Sequence, residues 1–247
     1  MNNLTLVPSV TTHSKRGSTW REKVAEIAPL NLRQIGLFVT GLHKGERREC
    51  YRALLNVKEH HDLSIPFVHA VSDMDDAEYA FLRHEFGTRW FNLHPLREFP
   101  LINPLSDETK SYITIENSCF VEPVTREDLQ GFAGLCIDIS HLEDARLTNE
   151  RVYRHLVDLC QEFPVLANHI SAIATPSSRV HRGLPQHSTH HLESPCEMEY
   201  LRGIPKECVA TVAALELENS LGEQVKLLEQ VKQMLLSAQT SVRRLAA

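Results

Sequence analysis

Short β-branched and apolar runs alternate along the chain with longer stretches in which apolar residues return every three or four positions. The first pattern predicts strands and the second amphipathic helices. Eight strands are expected in this way, at residues 4–10, 34–40, 65–71, 90–94, 112–117, 135–140, 165–171 and 211–218. Helices are expected at 19–28, 46–60, 75–86, 125–132, 149–162 and 221–243. Asp75 and Asp76 open the third helix, at the positive end of its dipole. Thr125 with Asp128, and Ser220 with Glu223, have the spacing of a cap and its reciprocal carboxylate. The stretch containing Pro95, Pro100 and Pro104 reads as irregular. Residues 172–208, which hold four histidines, read as one long loop, and such loops inside compact domains are usually functional.

Regular alternation of strands and helices implies a parallel sheet of the α/β class. Eight such units close most naturally as a (β/α)8 TIM barrel, with an open doubly wound sheet as the alternative. A length of 247 residues fits one barrel domain spanning 1–247. Neither a GxGxxG nor a GxxxxGK[ST] loop follows any strand, so no nucleotide cofactor is expected.

Charge and composition narrow the partners. A net charge of −6 favours neither nucleic acid nor an anionic membrane. No apolar run is long enough for a membrane span. Residues 1–12 lack a signal-peptide pattern, and the six cysteines are scattered without a CxxC pair. Reduced, mostly buried thiols in a cytoplasmic protein are expected. Fourteen histidines are many for this length, and imidazole is the commonest metal ligand.

Their positions carry the argument. Ionisable residues recur at the expected C-terminal ends of the strands: His69 on the third, His94 on the fourth, Glu116 on the fifth, Asp138 and His141 on the sixth, His169 on the seventh, and Glu216 and Glu218 on the eighth. Barrel active sites lie at this face. Charged groups brought together there are costly unless paired or coordinated. Imidazole and carboxylate together suit zinc, manganese or cobalt better than calcium or magnesium. Glu216 and Glu218 are two apart and share a face of a regular strand. Glu216 is preferred for the site, because Glu218 lies closer to the following helix. In the long loop His187 and His190 are additional candidates, able to reach His141 or a substrate, while His181 and His191 lie beside them. Lys44, Arg97, Arg146, Arg179 and Arg182 are the cations available for an anionic group. Asp73 has two readings: it orients a histidine of the site, or it caps the next helix. Cys119 and Cys136 flank site positions and read as buried thiols. His43, His60, His61, His84 and His155 read as surface residues.

The order His, His, Glu, Asp-x-x-His, His, Glu on strands three to eight resembles the xylose-isomerase-like TIM barrels. Those comprise sugar isomerases and epimerases together with the abasic-site nucleases of the endonuclease-IV type. The most specific pieces are NLHP around His94, IEN around Glu116 and CIDISH around Asp138 and His141. The resemblance implies one core metal held by Glu116, Asp138, His169 and Glu216. In its nuclease branch it implies a second metal on His69, His94 and Glu116. That branch places a third metal on the Asp-x-x-His histidine and an Asp-x-His in the loop after strand seven. No Asp-x-His occurs in that loop here, where the sequence reads SSRVHRGLPQHSTHHLES.

Two activities follow as expectations. One is metal-dependent isomerisation or epimerisation of a small sugar or sugar derivative, with Glu116 and Glu216 as opposed proton donor and acceptor. The other is metal-assisted phosphodiester hydrolysis, for which nucleic acid would be the partner. A non-catalytic binding barrel is a third reading. Substrate, metal and oligomeric state are left open at this point, and no lysine base is apparent beside the site.

Overall fold

The computed structural model describes residues 4–117, 122–177, 179–181 and 183–241, with side chains to residue 237. Cys119 and Arg182, singled out above, lie outside the described residues.

The first expected strand is split at Pro8 into β1 (Thr5–Val7) and β2 (Ser9–Thr11). Gly36 donates its N–H to the Pro8 carbonyl, and the Ser9 N–H turns to the Gln224 side chain at 2.7 Å. The remaining barrel strands are β3 (Gln34–Phe38), β4 (Ser64–His69), β5 (Trp90–Leu93), β6 (Ile113–Glu116), β7 (Gly134–Asp138) and β8 (Val165–Ile170), with β13 (Val212–Leu215) as the last. All pair in parallel in the order β1-β13-β8-β7-β6-β5-β4-β3-β2. Because β1 and β2 are halves of one segment, this order runs round a closed eight-stranded TIM barrel, as expected.

Most helices also fall where the periodicity puts them: α1 (Trp20–Glu26), α2 (Lys44–Lys58) and α3 (Asp76–Phe86) after the early strands, and α7 (Leu221–Ser241) at the end. Asp75 caps α3 by accepting from the Glu78 N–H. Three expectations are corrected. Residues 125–132 form turns instead of a helix. The Asp128 carboxylate does take the Thr125 N–H at 2.7 Å, but Gly131, at φ +80°, turns the chain into β7 before a helix can propagate. The sixth strand stops at Asp138, and α5 (Ile139–Thr148) starts at once, separated from α6 (Glu150–Glu162) by a break at Asn149. The Pro-rich stretch is irregular, as expected, and leads into one helical turn, α4 (Asp107–Lys110). The long loop is also structured. It carries β9 (Ala172–Ile173), β10 (Arg179–His181), β11 (Leu184–Gln186), β12 (Ser188–Thr189) and two 3-10 stretches, Pro195–Gly203 and Lys206–Cys208. β10 and β11 form a hairpin, and β9 pairs with β12 across its neck.

The core has two parts. The larger lies between the strands and the helices that surround them. The smaller fills the barrel interior with Val7, Phe38, Phe67, Cys136, Ala167, Val212 and Ala214. Alternation along each strand therefore places the next inward residue towards the C-terminal mouth, directly above this apolar plug. Gly36 is part of that fit, since a Cβ there would lie 2.4 Å from Ser9 Oγ and 2.9 Å from Ala214 Cβ. Outside the barrel, Arg47 is fully buried on α2 and paired with Glu78 at 2.7 Å and Asp73 at 2.9 Å. Asp73 thus serves a structural ion pair and neither of the roles suggested for it. Among the described residues no helix is long and apolar enough to cross a membrane.

Lys23, also fully buried, reaches from α1 to the mouth side of the barrel and donates to Thr11 Oγ1 at 2.6 Å and to the Leu217 carbonyl at 2.7 Å. Burial lowers its pKa from 10.5 to about 8 against the opposing pull of Glu218, Glu26 and Glu223. Between those two pH values the unfolded chain holds a proton that the folded protein has released. Stability should therefore rise with pH across that window, by at most about 1.4 kcal/mol per pH unit. Urea unfolding should show this contribution in the parent protein and not in Lys23→Met.

Candidate functional site

Six inward positions at the mouth bring together the residues singled out from sequence. His69 ends β4, Glu116 ends β6, Asp138 ends β7, and His169 lies one residue inside the end of β8. His94 and Glu216 each follow the last residue of their strands, β5 and β13. All but His94 are buried.

Glu116 is the hub of one half. Its Oε2 lies 3.1 Å from His69 Nε2, 3.5 Å from His94 Nε2 and 3.1 Å from His169 Nε2, and it accepts from Asn92 Nδ2 at 2.5 Å. His169 is the hub of the other half. Its Nδ1 lies 2.8 Å from Glu216 Oε2 and 3.5 Å from Asp138 Oδ2. The imidazole of His169 thus has Glu116 at one ring nitrogen and Glu216 at the other. Asp138 divides its carboxylate between two tasks. Oδ1 caps α5, accepting from the Ser140 N–H at 2.8 Å, the Ser140 hydroxyl at 2.5 Å and the His141 N–H at 3.1 Å. Oδ2 faces His169 and His141, the latter at 3.4 Å. Asn117 fixes this strand end by bonding both the N–H and the C=O of Asp138.

The electrostatics follow from three buried carboxylates set close together. Burial pushes Glu116 up, but the nearby imidazoles of His169 and His94, with His69 beside them, hold it well below the usual carboxylate range. Burial likewise opposes ionisation of Glu216, and His190 and His169 outweigh it. His169 is driven well above the ordinary imidazole value, because Glu116, Asp138 and Glu216 overcome its desolvation. His141 is raised in the same way by Asp138 and Glu116, whereas burial prevails at His94 and lowers it.

These donors suit a cation. Three groups have ligand atoms within 4.8 Å of one another: His69–Glu116–His169, Glu116–Asp138–His141 and Asp138–His169–Glu216. Both ring nitrogens of His169 are buried without a hydrogen bond of proper geometry, although carboxylate oxygens stand 2.8 Å and 3.1 Å away. A proton on such a nitrogen serves one direction only. A divalent cation satisfies several converging acceptors at once.

Glu218 does not join the cluster. Its carboxylate turns back to the N–H groups of Lys15 and Arg16 at 3.1 Å and 2.8 Å. Glu216 and Glu218 face apart because β13 ends at Leu215, so strand alternation no longer applies. Of the loop histidines, His190 lines the mouth and its Nδ1 is 3.9 Å from Glu216 Oε1. The His187 ring bonds the Ala174 carbonyl instead, while its N–H and that of Ser188 donate to the buried Asp144 carboxylate on α5. Among the cation candidates Lys44 pairs with Asp75, Arg97 with Asp128 and Arg146 with Glu143, and Arg179 lines the mouth. His61 and His155 are half-buried and bonded to backbone carbonyls, unlike the exposed His43, His60 and His84.

The resulting cleft has a volume of about 310 Å3 and is completed by Thr11, His13, Thr40, Gln186 and Ser188. His13 and Asn92 were not anticipated from sequence. Asn92 is two residues before His94 and shares its inward face, a relation that the period of a strand would have revealed. A larger groove of about 400 Å3 between α2 and α3 holds no imidazole–carboxylate cluster.

In metal-free protein His169 should keep its ring proton well above pH 6.5, the ordinary value. NMR of the imidazole nitrogens through a pH titration is expected to show the His169 transition displaced upward from the ordinary imidazole value.

No protein-family model matches the chain, and no curated protein matches it in sequence. Solved structures do match. A xylose isomerase domain protein from Alicyclobacillus acidocaldarius subsp. acidocaldarius aligns with a TM-score of 0.51 over 95% of this chain and 100% of that chain, at 13% identity. The likeness extends over nearly the whole of both chains and shows a shared TIM-barrel fold.

Proposed function

We propose that this protein is a metal-dependent isomerase or epimerase acting on a small sugar or sugar derivative. The observation that carries the reading is the His169 imidazole, buried between Glu116 on one side and Glu216 with Asp138 on the other. We assign the cation to Glu116, Asp138, His169 and Glu216; Asp138, His169 and Glu216 have ligand atoms within 4.8 Å of one another, and Glu116 and Asp138 do so with His141. The bound cation would polarise a carbonyl and its neighbouring hydroxyl, which makes the adjacent carbon-bound proton acidic.

Proton transfer is assigned to the two glutamates. They approach the centre from opposite edges of His169, so one removes a proton from one face of a substrate carbon and the other returns a proton to the opposite face. Both are held ionised by surrounding imidazoles, which suits the glutamate that removes the proton; the other must first take up a proton from solvent to deliver it, and the first gives its proton back to solvent to close the cycle. His141 and His190 flank the cluster and orient hydroxyl groups. A cleft of about 310 Å3 is the size for one small molecule. The net charge of −6 also favours a small substrate over nucleic acid.

A second reading, phosphodiester hydrolysis, is favoured by one observation. His69 and His94 both approach Glu116, the residue that a second cation would share with the first. Metal stoichiometry separates the two. One tightly bound manganese or cobalt per chain is expected for the isomerase, two zincs for the hydrolase.

Glu116→Gln keeps the size of the side chain and removes its charge. It is expected to reduce bound metal at least tenfold by elemental analysis and to abolish epimerisation, followed as exchange of the substrate carbon proton with deuterated water. Full metal content together with full exchange in this variant would sink the assignment.

A further inference from the structure

The mouth is not polar throughout. Beside β4 and β5 a recess of about 270 Å3 opens between Thr40, Ala70, Val71, Leu93 and Phe99. His69 and His94 line this recess and also the polar cleft, so the two spaces meet at these imidazoles. Phe99 belongs to neither core cluster. It is 50% exposed, yet its ring is held against His94, with centroids 4.9 Å apart and planes tilted by 54°. Leu93 is buried behind it, and Val71 packs partly against the core. The fold gains little from an aromatic ring left half in water. A ligand that covers it gains the full apolar contact.

We propose that the substrate has two parts: a polar, chelating head at the Glu116–Asp138–His169–Glu216 cluster, and an apolar arm, of the size of an aryl ring or a short branched chain, seated against Val71, Leu93 and Phe99. The head rests on the metal-dependent reading above; the arm rests on the recess alone. The substrate is then a sugar derivative carrying an apolar substituent. A bare sugar would fill the polar cleft and leave the apolar walls wet.

Two hydroxamates with the same chelating head test this on the manganese-loaded full chain. Phenylacetohydroxamate is expected to bind about tenfold or more tighter than acetohydroxamate by calorimetry. Phe99→Ser, a surface substitution, should bring the ratio near one with metal content unchanged, and Val71→Trp should do the same by filling the recess. Equal affinities in the parent protein, or a ratio that survives both substitutions, overturn the proposal. Benzyl alcohol added to metal-free protein probes the recess separately, through ring-current shifts of the Val71 and Leu93 methyl signals. Their absence overturns the apolar arm even if metal binds. Shifts present while neither hydroxamate binds would instead overturn the metal-dependent reading and the chelating head with it.

Discussion

The crowding of three carboxylates around one buried imidazole is the constraint to which the rest of the mouth answers. Like charges a few ångströms apart in a dry space repel strongly. Several nearby polar groups offset this. Asn92 donates to Glu116, the start of α5 takes one oxygen of Asp138, and four histidines approach the remaining oxygens. Beneath them the floor is apolar and closed, with Phe38 5.6 Å from both the His69 and His169 rings. Water cannot reach the charges from below. The cluster can therefore be relieved only from above, through the mouth.

The strand-end residues were legible because strands have a simple period. A polar residue at the inward, C-terminal position of an otherwise apolar run has one place to go in a closed barrel. His69, Glu116, Asp138 and His169 could be read in this way. Glu216 and Glu218 could not be separated by the same rule, since both lie beyond the last paired residue, where the rule fails. The spatial distinction comes from the loop at Lys15 and Arg16, whose N–H groups draw Glu218 away.

The misread helices have a different cause. In α5, Ser140, Glu143 and Asp144 are buried along with the apolar residues, because the 172–189 segment covers what would be the solvent face. The helix therefore lacks the one-sided pattern by which helices are recognised. At 125–132 the local signal was correct, since the Thr125–Asp128 bond forms. Tertiary geometry overrode it, because the chain must turn within a few residues to begin β7 at Gly134.

Asp144 links these observations. It sits on the helix whose first residue follows Asp138, and it grips the backbone where the hairpin segment rejoins the barrel. Across the neck, the Ala174 N–H bonds the His187 carbonyl. Both ends of the hairpin are thus pinned, while Arg179 and Gln186 between them line the cleft. Such an arrangement separates what must stay constant from what can change. A change in the length or composition of the span between the anchors would leave the anchoring bonds, and the charged cluster beneath it, in place.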